Sequence, residues 1–393
     1  MRITVVIGPF FPMPPAPTGA IEKVWHRLCE QFAARGHEVT VIAPNAGDEP
    51  REALRSGVRS IRVRRWQRTG STRLDLVKDL LYAVSVLRTL PAADITVTNS
   101  FWLPALARIV GRRRIGALNV HAQRFPKGQF RLYRGADRIS TVSEAIASAI
   151  REQTPSVAHA VRIIPNPVDV AVFRPDGERE TRRGERVILF TGRIHPEKGL
   201  DLLVRAYATL QRDRPDLRLR LVGPSEIARG GGGPEFVASL RGIAERSGAP
   251  AIEFGANIAD PRELATALRS CAVYCYPSVA FFGEASPVAP LEAIACGAVT
   301  VVSDLPQFAG YLRDGETGLT FPREAPDAAE LLAGRRARAL DDAELAARLS
   351  AAGVAMANAL SVERVAEMHL ADFEETIRAR SLSRSRPPAP AAG

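Results

Sequence analysis

The chain has 393 residues, of which 46% are hydrophobic and 24% are charged, and its formal net charge is +10. This length exceeds the size at which one hydrophobic core stops growing, so we expect two domains. The composition is typical of a folded globular protein and excludes extensive disorder. No uncharged apolar run is long enough to predict a membrane-spanning helix, and the N-terminus enters a strand without a basic leader. We therefore expect a cytoplasmic protein.

The positive charge is concentrated in residues 1–172, which hold 25 Lys and Arg against 13 Asp and Glu. Residues 51–73 contain eight arginines and a single acid, Glu52, and an amphipathic stretch follows at 74–90. Two interpretations stay open: a solvated charge run, or contact with an anionic acceptor or with anionic lipid headgroups at the inner face of the membrane. We do not expect a nucleic-acid partner, because aromatic residues make up only 6% of the chain and no nucleic-acid-binding motif accompanies the arginines.

The cysteines and histidines do not predict a metal site. Cys29, Cys271, Cys275 and Cys296 lack the Cys-x-x-Cys spacing and stand among apolar residues, which favours buried free thiols. The six histidines have no ligand spacing, and no Asp-x-Asp pair occurs that would hold a divalent ion. We expect neither a metal nor a resident cofactor.

Apolar runs of strand length alternate with helical patterns in both halves, which predicts parallel sheets built from βαβ units. The first series of predicted strands is 3–7, 39–43, 60–63, 95–98, 117–120, 139–142 and 161–164. The second series is 187–190, 217–222, 252–254, 272–276, 299–302 and 318–321. Because the alternation restarts, we predict an α/β protein with two Rossmann-like domains.

The predicted domains are 1–172 and 173–360, with the hinge in a segment rich in proline and charge at 165–184. Residues 361–380 form a predicted C-terminal helix that returns to the first domain. The tail 381–393 consists of Ser, Arg, Pro and Ala without periodicity, which predicts disorder.

Two corners of the second domain carry the candidate chemistry. Gly192 and Arg193 end one strand, and Lys198 stands where the next helix begins. Cations beside a helix N-terminus at the carboxyl edge of a sheet suit a diphosphate. At the other corner Glu284 lies in a loop and Glu292 on a helix, a separation better suited to hydroxyl recognition than to a shared proton. The alternative for Glu292 is that it only faces solvent on its helix and binds no ligand.

Two positions in the first domain also lie at predicted carboxyl edges. The loop after the first strand ends at Gly19, whose missing side chain permits close approach to a ligand. His121 follows the strand 117–120 and is a candidate group on the acceptor side. The alternative for Gly19 is that its loop is only a rigid, proline-rich connection, and the alternative for His121 is a structural histidine.

Together, these sequence motifs resemble those of the large retaining, nucleotide-sugar-dependent glycosyltransferase family four. The resemblance covers residue 1 to about residue 373 and implies the GT-B fold, in which two parallel sheets face each other across a cleft. It depends chiefly on Gly192-Arg193, Glu197-Lys198-Gly199, Pro277-Ser278, Phe282-Gly283 and the spacing from Glu284 to Glu292.

The resemblance also implies roles for individual residues. It implies that the donor diphosphate is bound by Arg193, Lys198, Gly192 and the backbone amides of Ala285, Ser286 and Val288. It also implies that Glu284 binds the transferred sugar, that Glu292 binds the ribose and that Gly19 lies near the phosphates. The acceptor would lie near His121. Two departures stand out: Ala20 replaces a second glycine after Gly19, and Pro287 has no amide to donate.

The sequence thus predicts a metal-independent retaining transferase that moves a sugar from a nucleotide-diphosphate donor to a glycan or lipid-linked acceptor, with Arg193, Lys198, Glu284 and His121 as the candidate catalytic residues. Cell-envelope or exopolysaccharide biosynthesis is the expected setting. Two alternatives stay open: a sugar-nucleotide epimerase or hydrolase on the same fold, and a non-catalytic binder of sugar nucleotides.

Overall fold

A computed structural model describes residues 1–13, 19–45, 47, 49–107, 114–176, 186–249 and 252–385. The chain forms two compact units. The first comprises Met1–Asn166 and the segment that begins at Val362, and the second comprises Pro167–Ser361. The division therefore falls a few residues before the expected boundary at 172. Residues 177–184 of the predicted linker and residues 386–393 of the predicted disordered tail lie outside the described ranges, whereas residues 381–385 are helical.

The first unit contains an eight-stranded sheet in the order β3-β4-β2-β1-β5-β6-β7-β8. Its strands are β1 (Arg2–Val6), β2 (Glu38–Pro44), β3 (Glu52–Arg55), β4 (Val58–Val63), β5 (Ile95–Thr98), β6 (Ala117–Ala122), β7 (Arg138–Thr141) and β8 (Val161–Ile163). All neighbouring pairs are parallel except β3 and β4. The parallel strands match the predicted series to within two residues.

The antiparallel edge strand β3 was not predicted. Its sequence, Glu-Ala-Leu-Arg, has no apolar alternation, and three of its four residues are exposed. A tight turn connects it to β4, and both turn residues, Ser56 and Gly57, have positive φ. Such turns match the twist of an antiparallel hairpin.

Helices cover both faces of this sheet. They are α1 (Ala20–Ala34), α2 (Thr72–Thr89), α3 (Leu103–Leu106), α4 (Glu144–Gln153) and α11 (Val362–Ser385). On one face α1 and α11 pack together, with Phe32 against Phe373 at 5.7 Å between ring centroids. On the other face α2 contributes Tyr82, Ala83 and Val86 to a separate apolar cluster.

Charged side chains hold α11 against the sheet. The guanidinium of Arg138 lies 2.9 Å from Asp372 and 3.0 Å from Glu375, and Arg380 lies 2.7 Å from Asp137. Arg138 and Asp372 are both buried, so this pair is shielded from solvent. None of the helices in the described ranges is both long enough and apolar enough to cross a bilayer.

The second unit contains a six-stranded, fully parallel sheet in the order β11-β10-β9-β12-β13-β14. Its strands are β9 (Arg186–Thr191), β10 (Leu217–Val222), β11 (Glu253–Gly255), β12 (Val273–Tyr276), β13 (Thr300–Ser303) and β14 (Leu319–Phe321). Its helices are α5 (Leu200–Gln211), α6 (Gly233–Arg246), α7 (Pro261–Ser270), α8 (Val288–Ala295), α9 (Ala328–Asp341) and α10 (Ala343–Ala359). The second predicted strand series is confirmed.

All four cysteines lie in the described ranges, where they are buried and form no disulfide, as predicted. Cys29 lies in α1 of the first unit, and the other three belong to the core of the second. Burial raises the pKa of the Cys275 and Cys296 thiols to about 12.

We predict that Phe373→Ala destabilises the first unit by about 3–5 kcal/mol, because the ring is fully buried and its removal leaves a cavity. Met368→Ala on the same helix is the control: that side chain is 42% exposed, and we expect a change within about 0.5 kcal/mol. Urea unfolding followed by circular dichroism gives both values. Equal midpoints for the two variants would contradict the packing described here.

Candidate functional site

The two candidate corners of the second unit follow adjacent strands. β9 and β12 are hydrogen-bonded neighbours, and the strand order reverses between them. In an open parallel sheet such a reversal leaves a crevice at the carboxyl edge, where the following loops diverge. The topology therefore explains why residues after β9 and residues after β12 come together.

The first corner is a short 3-10 helix, Pro196–Lys198, between β9 and α5. Arg193 precedes it and forms an ion pair with Glu197. Its guanidinium also donates to the carbonyl of Gly230 at 2.8 Å. Arg193 is therefore tied to the glycine-rich loop that precedes α6, while 41% of its side chain stays exposed.

Gly199 allows the two corners to approach each other. It has φ +62°, and a Cβ at this position would overlap the carbonyl oxygen of Pro277. The amide of Val279 donates to the carbonyl of Glu197 at 3.0 Å, and the hydroxyl oxygen of Ser278 lies 3.1 Å from the same carbonyl oxygen. The loop after β12 is thus joined by its backbone to the loop after β9.

Lys198 and Glu284 form a buried ion pair across this junction. The Lys198 Nζ lies 2.5 Å from the Glu284 Oε1, and each side chain is only 6% exposed. The structure therefore brings together two of the predicted site residues, and Arg193 contacts Glu197, the residue before Lys198.

Two hydroxyl groups complete the surroundings of Glu284, and sequence reasoning assigned neither of them. Ser278 Oγ donates to Glu284 Oε1 at 2.7 Å, and Tyr276 Oη donates to it at 3.1 Å. With Lys198, three donors fix one carboxylate oxygen. No hydrogen bond from the described part of the chain reaches Oε2. The carboxylate is held rigidly, with one oxygen left to accept.

Burial, reinforced by the charge of Glu284, raises the pKa of Tyr276 well above its usual value. The phenol therefore stays protonated and remains a donor at neutral pH. The pKa of Tyr311 is raised for the same two reasons, and its hydroxyl donates to the carbonyl of Pro287 at 2.8 Å. This second tyrosine anchors the loop after Glu284.

The remaining donor-side predictions fall at the start of α8. Ser286 is buried, Ala285 and Val288 are half-buried, and Val288 is the first residue of the helix. Glu292 lies half-buried on α8. Burial raises the pKa of Tyr274, and the charge of Glu292 adds to that rise. The roles of these residues stay predictions.

A pocket of about 320 Å³ lies beside the first corner, after β9, β10 and β11. Its lining is Ile194, Gly223, Pro224, Ser225, Glu226, Arg229, Val237, Arg241, Phe254, Gly255, Ala256 and Asn257. The guanidinium of Arg241 stands 5.0 Å from the centre of the Phe254 ring. The sequence analysis did not identify this pocket, because its walls come from α6, from β11 and from the loops after β9, β10 and β11, which share no motif. Among the described residues, no cluster of His, Cys, Asp and Glu is arranged to hold a metal ion.

Gly19 lies in the first unit, directly before α1. Residues 14–18 of its loop are outside the described ranges. A Cβ on Gly19 would overlap the carboxylate of Glu22, which is only 6% exposed. Burial raises the pKa of Glu22, and the charges of Arg124 and Arg68 oppose that rise. Glu22 is therefore a buried acid beside the predicted phosphate-approach position, and the sequence analysis did not single it out.

His121 is the penultimate residue of β6, within the strand rather than after it. Its ring is buried, packs edge-on against Trp25 at 5.0 Å and lies 6.4 Å from His369. Nδ1 is 3.2 Å from the hydroxyl of Ser140. Its role on the acceptor side stays a prediction.

Burial lowers the pKa of His121 to about 3. Burial and the nearby imidazole of His121 together lower the pKa of His369 to about 3 as well. Unfolded histidine titrates near pH 6.5, so below that pH only the unfolded chain takes up these protons. We predict that the free energy of unfolding falls by up to about 1.4 kcal/mol per histidine per pH unit as the pH drops below about 6.5. Urea unfolding at pH 7, 6 and 5 measures the slope. His369→Gln should flatten it and exposed His159→Gln should not; an unchanged slope in both variants would refute the prediction.

Gly199→Ala should separate the two corners. Gly315→Ala is the matched control: its φ is +74°, equally unfavourable for alanine, but no atom lies within 4 Å of a Cβ there. The control should lose about 1–2 kcal/mol of unfolding free energy. Gly199→Ala should lose about 1–3 kcal/mol more, because its Cβ overlaps backbone. Urea midpoints compare the two variants, and an equal loss would show that the close approach is not required.

Two family models match the chain, one in each unit. The model described as Glycosyltransferase Family 4 matches residues 21–172, and the model described as Glycosyl transferases group 1 matches residues 176–356. The second match contains the two corners described above, and the first contains His121.

The chain is similar to known proteins over most of its length. D-inositol 3-phosphate glycosyltransferase of Nocardioides sp. is 27% identical, with 87% of this chain and 82% of the relative covered. Phosphatidyl-myo-inositol mannosyltransferase of Mycobacterium tuberculosis is 28% identical, with 90% and 91% covered. The solved structure of sucrose-phosphate synthase from Thermosynechococcus elongatus superposes with a TM-score of 0.78 at 20% identity, covering 96% of this chain and all of that one. Since the two family models together account for both units and the fold matches, this chain belongs to the group 1 glycosyltransferases with the GT-B fold.

Proposed function

We propose that the protein moves a sugar from a nucleotide-diphosphate donor, held on the second unit, to a glycan or lipid-linked acceptor with retention of anomeric configuration. The observation that carries the proposal is the junction of Lys198, Glu284 and Arg193 at the carboxyl edge of a parallel sheet. One relative is named as a phosphatidyl-myo-inositol mannosyltransferase, which supports a lipid-linked acceptor, and another is named as a D-inositol 3-phosphate glycosyltransferase.

In the proposed reaction the bond between the anomeric carbon and the donor phosphate oxygen breaks, and a bond to the acceptor hydroxyl oxygen forms on the same face. The acceptor proton passes to an oxygen of the departing diphosphate. Lys198 and Arg193 would hold the negative charge that develops there, as preorganised cations do in other transfer reactions. The protein cations thus take the part that a metal plays elsewhere.

Glu284 would bind the transferred sugar. Its Oε1 is fixed by Lys198, Tyr276 and Ser278, and a sugar hydroxyl can donate to Oε2. Glu292 would accept from the ribose, and the pocket of about 320 Å³ beside Ile194 would receive the nucleotide base. His121 would act on the acceptor side, in the first unit.

We also propose that the protein works at the inner face of a membrane, in cell-envelope or exopolysaccharide biosynthesis. The basic first half of the chain supports this location, because anionic headgroups attract clustered arginines.

A thermal-shift panel of UDP-, GDP- and ADP-sugars tests donor binding. We expect one nucleotide class to raise the melting temperature, since a ligand at 100 times its Kd adds about 2.7 kcal/mol to stability. Glu284→Gln keeps the side-chain size but leaves Lys198 buried without a counter-charge, so we expect a loss of unfolding free energy of up to about 3–5 kcal/mol together with a turnover lower by about 10²–10³-fold. Arg193→Gln should weaken nucleotide binding by about tenfold.

Arg205→Gln, at an exposed position of α5 in the same unit, is the control and should behave as wild type. Absence of any shift across the panel would contradict the donor site. Complete consumption of donor without an acceptor, with rearranged or free sugar as the product, would replace the transferase by an epimerase or hydrolase.

A further inference from the structure

The outward face of α2 is apolar. Leu74 is 55% exposed, Val77 54% and Leu81 48%. Their spacing places all three on one side of the helix, and half-buried Leu80 and Val84 extend the same stripe. The opposite side of α2 is already occupied, because Tyr82, Ala83 and Val86 pack into the core of the first unit. A helix with one face in the core normally exposes polar residues on the other.

Exposed arginines lie near both ends of this stripe and in the segment that leads into α2. Arg73 and Arg88 lie near the two ends of α2, on the outward side. Arg64, Arg65 and Arg68 are exposed in the segment that leads into the helix. Half-buried Trp66 lies among them, with the Arg64 guanidinium 4.6 Å from the centre of its ring. The Trp66 side chain also packs against the same apolar cluster as the inward face of α2.

The acids of α2 offset only part of this positive charge. Asp75 accepts hydrogen bonds from the amide and hydroxyl of Thr69, and the charges of Arg68 and Lys78 help to lower its pKa. Asp79 is buried and accepts from the hydroxyl of Ser100. The outward face therefore combines an apolar stripe with a net positive rim.

We propose that Leu74, Val77 and Leu81 insert into the surface of an anionic lipid bilayer while the surrounding arginines contact lipid phosphates. An amphipathic helix that lies in the interface has these two features. A second copy of the chain fits less well, because it would oppose two arginine-rich rims. Nucleic acid would leave the apolar stripe without a partner. The inference makes the membrane contact proposed above specific, and it does not depend on the transfer chemistry.

Sedimentation of the full chain with vesicles tests the proposal. The vesicles contain phosphatidylcholine alone or with about 30% phosphatidylglycerol, an anionic lipid. We expect binding to the anionic vesicles that weakens as salt increases. The triple variant Leu74→Gln, Val77→Gln, Leu81→Gln should bind about tenfold or more weakly. Leu382→Gln on α11, whose side chain is 66% exposed, is the control and should bind as wild type.

Charge is tested separately. Arg73→Gln with Arg88→Gln should weaken binding to anionic vesicles several-fold, and Arg205→Gln with Arg246→Gln, at exposed positions of the second unit, should not. The triple variant should keep the circular dichroism spectrum and the nucleotide-sugar thermal shift of the wild type, which separates membrane binding from donor binding.

Three results would overturn the proposal: wild-type affinity of the triple variant for anionic vesicles, equal wild-type affinity for neutral and anionic vesicles, or a solution dimer that the triple variant dissociates in the absence of vesicle binding.

Discussion

The buried ion pair between Lys198 and Glu284 is the interaction on which the candidate site depends. Removing two charges from water is costly, and a buried pair often stabilises a protein no more than apolar residues of the same volume would. Here the pair joins the loops after two adjacent strands, and Tyr276 and Ser278 satisfy the carboxylate further. Losing one partner would leave the other charged and buried, so the two loops are constrained to keep one geometry. A ligand then meets groups that are already ordered, which lowers the entropy lost on binding.

Most of the fold could be predicted from the sequence, because continuous apolar runs report strands that are buried on both faces. Every predicted strand is present. The edge strand β3 was missed for the same reason: with Leu54 exposed and Glu52 and Arg55 charged, it has no buried face to leave a pattern. The outward stripe of α2 was also beyond sequence reasoning. Periodicity indicates that a helix has an apolar side, and α2 has two, only one of which faces the core.

The site was predictable where its chemistry resides in charged residues at strand ends. Arg193, Lys198 and Glu284 follow β9 and β12, and parallel topology brings those ends together. The supporting groups were not predictable to the same extent. Tyr276 is part of a buried strand in sequence, and its hydrogen bond to Glu284 arises only when the following loop folds back. The enclosure of His121 likewise depends on side chains from α1 and α11, which no local pattern connects to β6.

The burial of all four cysteines has a practical consequence for following the protein in solution. Alkylating reagents attack thiolates, and thiols that are enclosed and hard to ionise react slowly until the surrounding structure opens. Cys29 reports on the unit that begins the chain, and Cys271, Cys275 and Cys296 report on the other. Each unit therefore contains a native thiol whose rate of alkylation, followed by mass spectrometry, reports transient opening of that unit without an added probe.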